Sequence, residues 1–347
     1  MQTSLPWSWY TDPEILRREQ ERIFRRAWQY VGHTGQVAAP GTYFAATAGL
    51  TPVVVTRAAD GELRAFLNVC RHRGYQVAQG EGRRATLQCG YHAWTYGLDG
   101  ALRAAPRSDR EPGFDPKELG LAAIAIDTYG PFVFVNPDPD APPLAETLGA
   151  MPEQLRELGL DVDALEFRLR SESQVEANWK VVSENFLECY HCQVAHPSFS
   201  ELVDVSPDAY LLQADGLVTT QVGPVRAESR SRYDVDGEIP RGQFHFVWPN
   251  LTVNVFPGRP NISIGPVNPL SPQRTARFLD YFFAPGVEDA WVDQLLEFDD
   301  QVGREDRALV EGVQRGMDAG VLSEGRILER SEQLISHFQT LTASALS

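Results

Sequence analysis

The chain has 347 residues, 43% of them apolar, which is enough for two domains with cores of their own and too apolar for a disordered protein. A net charge of −16 disfavours nucleic acid or an anionic membrane as partner, because both attract Lys and Arg. Four cysteines, paired as Cys70/Cys89 and Cys189/Cys192, are too few for a disulfide scaffold and suit metal or redox chemistry. With no charged segment leading into an apolar run at the start, and no stretch near the roughly 20 apolar residues of a membrane span, the expected location is the cytoplasm.

Asp12-Pro13 opens a helix, Asp as cap and Pro at the first helical position. Ile15, Leu16, Ile23, Phe24, Ala27 and Trp28 extend its apolar face to about residue 30. From Gly41 the pattern changes to short strands at 42–45, 52–57, 63–69, 86–88, 93–96 and 132–135, with Asp60-Gly61 and Asp99-Gly100 at hairpin turns. This small all-β region closes in a proline-rich connector, 136–143, which cannot continue a ladder. The rest is mixed: helix 144–158, strand 165–171, helix 178–191, strands 251–256 and 277–283, and helices 288–317 and 323–342.

Two runs in the β region, Cys70-Arg71-His72-Arg73-Gly74 and Cys89-Gly90-Tyr91-His92-Ala93-Trp94, each end a strand and each supply one thiolate and one imidazole. In a Rieske centre two Cys hold one iron and two His the other. A Cys2His2 zinc site uses the same residue types, but zinc fingers place both His on one helix, whereas here each loop carries one of each. Gly74 and Gly90 let the loops approach the bound sulfides closely. The two runs resemble the Rieske ferredoxin fold, with Cys70, His72, Cys89 and His92 as cluster ligands.

The second run, Glu188-Cys189-Tyr190-His191-Cys192-Gln193-Val194-Ala195-His196-Pro197, sets two histidines five apart. On a regular helix that spacing leaves them about 140° out of register, so both reach one ion only if the helix ends between them. Pro197 disfavours the helical conformation at His196 and supplies the break. Two His plus a carboxylate is the ligand set of non-haem Fe(II) oxygenases. A purely structural His pair, a Cys189-x-x-Cys192 redox pair, and zinc held by Cys189, His191, Cys192 and His196 are the competing readings.

With both runs in one chain, the sequence resembles the Rieske non-haem iron oxygenases, specifically their α subunits, over nearly its whole length. The resemblance implies an α+β protein. Its parts would be N-terminal helices (1–38) packing on the catalytic domain, an all-β Rieske [2Fe-2S] domain (39–143), and an α+β helix-grip catalytic domain with an antiparallel sheet (144–347). His191 and His196 would be iron ligands, and the third a carboxylate on a late helix. The acids there are Asp299, Asp300, Glu305, Asp306 and Glu311, and the run from Glu305 to Met317 looks like the family's ligand helix, which selects Asp306.

In relatives a head-to-tail homotrimer brings the Rieske site of one subunit against the iron of its neighbour, bridged by an acid three residues before the first His ligand. Here that acid is Glu188, where many relatives have Asp, and Glu184 is the nearby alternative. Tyr190 is expected beside the iron. His33 and His337 read as surface or packing residues, and His245 as one that could face the pocket.

Electrons from NAD(P)H would arrive through a separate reductase, with or without a ferredoxin, since the chain has no Gly-rich dinucleotide fingerprint. They would serve O2-dependent hydroxylation of a small molecule. The run Asn185–Cys192 and the stretch Glu305–Gly316 most resemble oxygenases of quaternary ammonium compounds such as glycine betaine, stachydrine, choline and carnitine, which implies N-demethylation with loss of formaldehyde. Phe246, Trp248, Phe282 and Trp291 are aromatics available for cation–π contact. A ring-hydroxylating or O-demethylating monooxygenase of an aromatic acid is the alternative, and a Rieske electron carrier without a second metal a more distant one.

Overall fold

A computed structural model describes residues 2–227 and 233–347. Contacts divide the chain into Phe24–Leu144, and the chain up to Ile23 together with Ala145–Ser347. The N-terminal helix is shorter than the apolar spacing suggests. Pro13–Glu19 is α-helical, capped by the Asp12 side chain on the Glu14 N–H, and a π turn follows over Gln20–Phe24. The chain then enters strand Gln29–His33, all five residues buried and paired with Phe132–Asn136. Residues 24–38 therefore belong with the β unit rather than with the N-terminal helix, because strand pairing claims Tyr30 and Val31.

The β unit contains a seven-stranded antiparallel sheet. Its spatial order is Gln29–His33, Phe132–Asn136, Ala123–Tyr129, Leu63–Leu67, Thr51–Arg57, Thr42–Ala48 and Glu81–Arg83. A three-stranded sheet, Thr86–Gln88, Thr95–Gly97 and Leu102–Ala104, completes it. Val53 and Val55 point into one buried cluster with Phe44 and Val133, while Val54 points into the other with Phe66 and Tyr96. Both faces are covered, as the unbroken apolar run at 53–55 requires. Cys70 and Cys89 belong to the second cluster.

The other unit is built on a second seven-stranded antiparallel sheet: Glu166–Val175, Arg274–Phe283, Asn261–Ser271, Leu251–Val255, Arg241–Val247, Val218–Pro224 and Leu211–Asp215. The long helix Asp289–Asp318 lays Trp291, Val292, Leu295 and Phe298, one helical stripe, against Phe244, Phe256, Tyr281 and Phe283 of that sheet. Four of these strands escape the sequence pattern. Val218–Pro224 and Asn261–Ser271 bury Thr219, Thr220, Gln221, Asn261, Ser263 and Asn268, so apolar alternation is lost, and the second contains Pro266 and Pro269. The helix expected over 144–158 is two, Leu144–Leu148 and Met151–Glu157, parted by Gly149 in the left-handed region. The last helix is Gln333–Leu346, because Arg326–Ile327 instead pairs with Gln2–Thr3. Among the described residues no helix is long and apolar enough to cross a membrane.

One buried ion pair fixes the helix that leads into the second motif. Lys180 Nζ lies 2.5 Å from Glu19 Oε1, and the Trp179 indole N–H donates to Glu19 Oε2 at 2.8 Å, with both charged side chains wholly buried. Removing one partner strands the other charge in a low-dielectric interior. Glu19→Ala is therefore expected to lower unfolding stability by about 3–5 kcal/mol in urea titration, and the double variant Glu19→Leu/Lys180→Met to recover most of that loss. Equal loss in the single and double variants would contradict this account.

Candidate active site

The two Cys/His loops of the β unit share one hydrogen-bond pattern. The Cys70 N–H donates to Tyr75 C=O and the Gly74 N–H to Cys70 C=O, at 2.8 and 3.0 Å. Likewise the Cys89 N–H donates to Trp94 C=O and the Ala93 N–H to Cys89 C=O, at 2.8 and 3.1 Å. The fourth residue after each Cys is left-handed, Gly74 at φ 75° and Ala93 at φ 58°. A Cβ on Gly74 would meet nothing within 4 Å, so this glycine serves backbone conformation rather than close approach.

Cys70 and Cys89 are buried free thiols, while His72 and His92 are exposed. The two imidazoles stand 4.6 Å apart between centroids; Trp94 stacks on His72 at 5.0 Å and Tyr91 on His92 at 3.9 Å. Tyr96 Oη lies 3.3 Å from Cys70 Sγ, and burial, then the Cys70 bond, push its pKa up, so it keeps its proton to donate. These four side chains do not converge on one point: among the described residues only His191, His196 and Asp306 bring three metal-binding atoms within 4.8 Å of one another. One tetrahedral zinc needs such convergence, whereas a [2Fe-2S] cluster with thiolates inside and imidazoles at the surface does not. The residues fit the cluster.

In the other unit, helix Trp179–Phe186 ends before the histidines, where the Glu188 carboxylate accepts the Tyr190 and His191 N–H groups and bonds His191 Nδ1. One helical turn, Cys192–Ala195, follows, and His196 then takes φ −123°, ψ 73° ahead of Pro197. This break turns His191 Nε2 and His196 Nε2 to within 3.1 Å of each other. From the long helix, Asp306 Oδ1 comes to 3.5 Å of the first and 3.0 Å of the second. Behind His196, Nδ1 bonds Glu305 Oε2 at 2.7 Å. Each ring is thus oriented by a carboxylate and offers its other nitrogen to a shared point, as metal-ligating histidines do.

Of the five acids weighed, Asp299 accepts the Tyr281 hydroxyl at 2.5 Å, Asp300 pairs with Arg304, and Glu311 accepts the Glu176 N–H. Glu305 was legible only as a rival ligand; its place behind His196 depends on folding. Burial opposes a charge on His191, yet the bonds from Asp306 and Glu188 win and push it up to about 9. Burial likewise would raise Asp306, but the two imidazoles hold its carboxyl well below the usual range. Two imidazoles and a carboxylate so poised fit a divalent iron with open positions.

Several expectations need correction. Cys189 and Cys192 are joined as a disulfide, so their sulfurs are engaged with each other rather than available to zinc. Tyr190 is 65% exposed and does not line the cavity beside the histidines. Glu184 faces inward, accepting from the Tyr10 hydroxyl at 2.6 Å and from Gln339, with its pKa pushed up to about 7 by burial. His245 is a core residue between Thr220 and Gln243, and burial pulls it down to about 3. His33 is buried, and His337 is half-buried with its Nε2 on the Gly216 carbonyl.

His191, His196 and Asp306 open into one cavity with Phe186, Phe199, Tyr210, Phe244, Phe256 and Tyr281 in its walls. Phe246, Trp248, Phe282 and Trp291 are not among its lining residues. Phe282 alternates to the other face of the sheet against Phe167, and Trp291 packs on Phe283 and Tyr233.

Comparison with known proteins agrees with this division. Residues 27–128 match the Rieske [2Fe-2S] domain and residues 162–347 the ring hydroxylating alpha subunit (catalytic domain). The carnitine monooxygenase oxygenase subunit of Acinetobacter pittii is 34% identical, over 98% of this chain and 94% of its own length. The chloroplastic choline monooxygenase of Spinacia oleracea is 33% identical, over 96% of this chain and 76% of its own length. A solved quaternary ammonium Rieske monooxygenase, described in terms of carnitine oxidation and inter-subunit electron transfer, superposes with a TM-score of 0.88 at 32% identity, covering 99% of this chain and 96% of that one.

Two substitutions test the two centres separately. Glu305→Ala is expected to weaken Fe(II) uptake by the apo catalytic site about 10–100-fold in a metal titration, with the visible spectrum of the cluster unaltered. Tyr96→Phe is expected to lower the cluster's reduction potential by about 40 mV. The hydroxyl stabilises the more electron-rich reduced sulfur, and about 1 kcal/mol corresponds to that one-electron shift. Potentiometric EPR reads it.

Proposed function

This chain belongs to the Rieske non-haem iron oxygenases as an α subunit, and from that premise we propose that it oxygenates a small trimethylammonium compound, removing an N-methyl group as formaldehyde. Cys70, His72, Cys89 and His92 hold the [2Fe-2S] cluster, and His191, His196 and Asp306 the mononuclear iron. When bound, these groups supply single-electron delivery from a separate NAD(P)H-dependent reductase, with or without a ferredoxin, and O2 reduction next to the substrate. The balance is one O2, two electrons and two protons, giving N–CH2OH and water, after which the carbinolamine releases formaldehyde.

The observation that carries this reading is the shared cavity. Seven aromatic residues, Phe278 among them, stand in the walls beside His191, His196 and Asp306. A ring face turned to the cavity offers a methylammonium about 0.5–2 kcal/mol. The carnitine and choline monooxygenases to which the chain is similar favour the same substrate class.

Glu188 is the link between subunits in this proposal. It is already bonded to His191 Nδ1, and Tyr190 and Val194 beside it are exposed, as are Tyr75, Tyr91, His72 and His92 around the cluster. A head-to-tail homotrimer would match the first surface to the second, with Glu188 carrying the hydrogen-bond path from one centre to the next. The added methylene relative to Asp lengthens that reach.

One observation favours the second reading, an oxygenase of an aromatic acid: a basic side chain, Arg277, also lines the cavity. The two separate in a coupled assay with reductase, NADH and O2. Trimethylammonium compounds are expected to drive NADH oxidation with formaldehyde release, and His191→Ala to abolish both while the cluster spectrum persists. NADH oxidation driven by benzoate-like acids and not by ammonium compounds would contradict the proposal.

A further inference from the structure

Arg277 is a guanidinium in the wall of the catalytic cavity, with no side-chain partner among the described residues. It sits on strand Arg274–Phe283 with Leu279 and Tyr281 at alternate positions on the same face, which turns it toward the long helix. The neighbouring arginine shows what a satisfied one looks like here. Arg170 donates from Nε and Nη2 to Asp280 at 2.6 and 2.7 Å and lies 3.9 Å over the Phe278 ring, on the opposite face. The Arg277 guanidinium makes no hydrogen bond and no ion pair within 4 Å with any of the described residues.

The nearest acids are already occupied. Asp299 takes the Tyr281 hydroxyl, and Asp306 faces the two imidazoles. Their charges favour the Arg277 cation while burial disfavours it, and a guanidinium stays charged through such opposition. Of the other arginines in the lining, Arg304 is tied to Asp300 and Arg307 is exposed. Arg277 is therefore the interior cation, and its five N–H groups form a fork that fits a carboxylate with two parallel hydrogen bonds.

This half-buried cation repels a substrate that carries only an ammonium. A zwitterion removes the conflict: its trimethylammonium end meets the aromatic walls beside His191, His196 and Asp306, and its carboxylate neutralises the guanidinium. We propose that Arg277 anchors the carboxylate of the substrate, so that the substrate is a carboxylated betaine rather than an amino alcohol. This rests on the trimethylammonium reading above and narrows it.

Calorimetric titration of the iron-loaded, oxidised protein without O2 tests the proposal, using glycine betaine and carnitine as carboxylated probes and choline as the probe without a carboxylate. The carboxylated probes are expected to bind more tightly than choline. Arg277→Met should weaken them about 10–100-fold and leave choline no weaker, or bound more tightly as the repulsion is lost, with iron content and cluster spectrum unchanged. Should Arg277→Met fail to load iron, Arg277→Lys serves instead: it keeps the charge, loses the fork, and should weaken the carboxylated probes alone. Unchanged betaine affinity, or equal weakening of betaine and choline, would overturn the anchor and leave the trimethylammonium reading intact. Binding of benzoate but of neither ammonium class to the unsubstituted protein would overturn both.

Discussion

Two imidazoles five residues apart can aim at one point only where the chain between them is not a continuous helix, and the catalytic unit is organised around that break. Pro197 sets the conformation of His196, and the Glu188 carboxylate captures the N–H groups that would otherwise prolong the preceding helix. The helix itself is held in place by the buried Glu19–Lys180 pair. Opposite, consecutive residues of the long helix divide the work: about 100° apart around the axis, Asp306 reaches the Nε2 side of His196 and Glu305 its Nδ1 side.

The β unit solves a different problem. Its thiols lie in a core with Tyr96 and Leu87, away from water, while its imidazoles stand at the surface, flanked by Trp94 and Tyr91. The two loops reach this by one repeated backbone pattern, rigid enough to limit rearrangement as charge changes. An exposed edge is where electrons can enter and leave, and a buried sulfur face is where hydrogen bonds tune potential. Both sites share one device, a protein group bonded behind a candidate ligand: Tyr96 at Cys70, Glu188 at His191, Glu305 at His196.

What was legible in the sequence was whatever the chemistry compresses into a few adjacent residues. Cys-x-His with Cys-x-x-His, and the His pair ahead of proline, have local spacings that fix their geometry. Asp306 lies more than a hundred residues from its partners, among acids that helical periodicity cannot rank, so only resemblance selected it. Glu305 was legible only as a rival ligand and Arg277 not at all, because their roles depend on which side of a helix or strand faces a cavity. Buried polar residues hid strands 218–224 and 261–271, two of the seven in the sheet beside this cavity. Ala27 and Trp28 fitted a helical stripe and in fact precede a strand.

The central claim is that one chain holds a two-iron cluster and a separate single iron on these side chains. Iron and acid-labile sulfide analysis of anaerobically purified protein, read with EPR after dithionite reduction, tests it most directly. About three irons and two sulfides per chain with a Rieske-type signal are expected, falling to about two irons with sulfide unchanged in His191→Ala. Zinc without sulfide, or three irons retained in His191→Ala, would contradict the account.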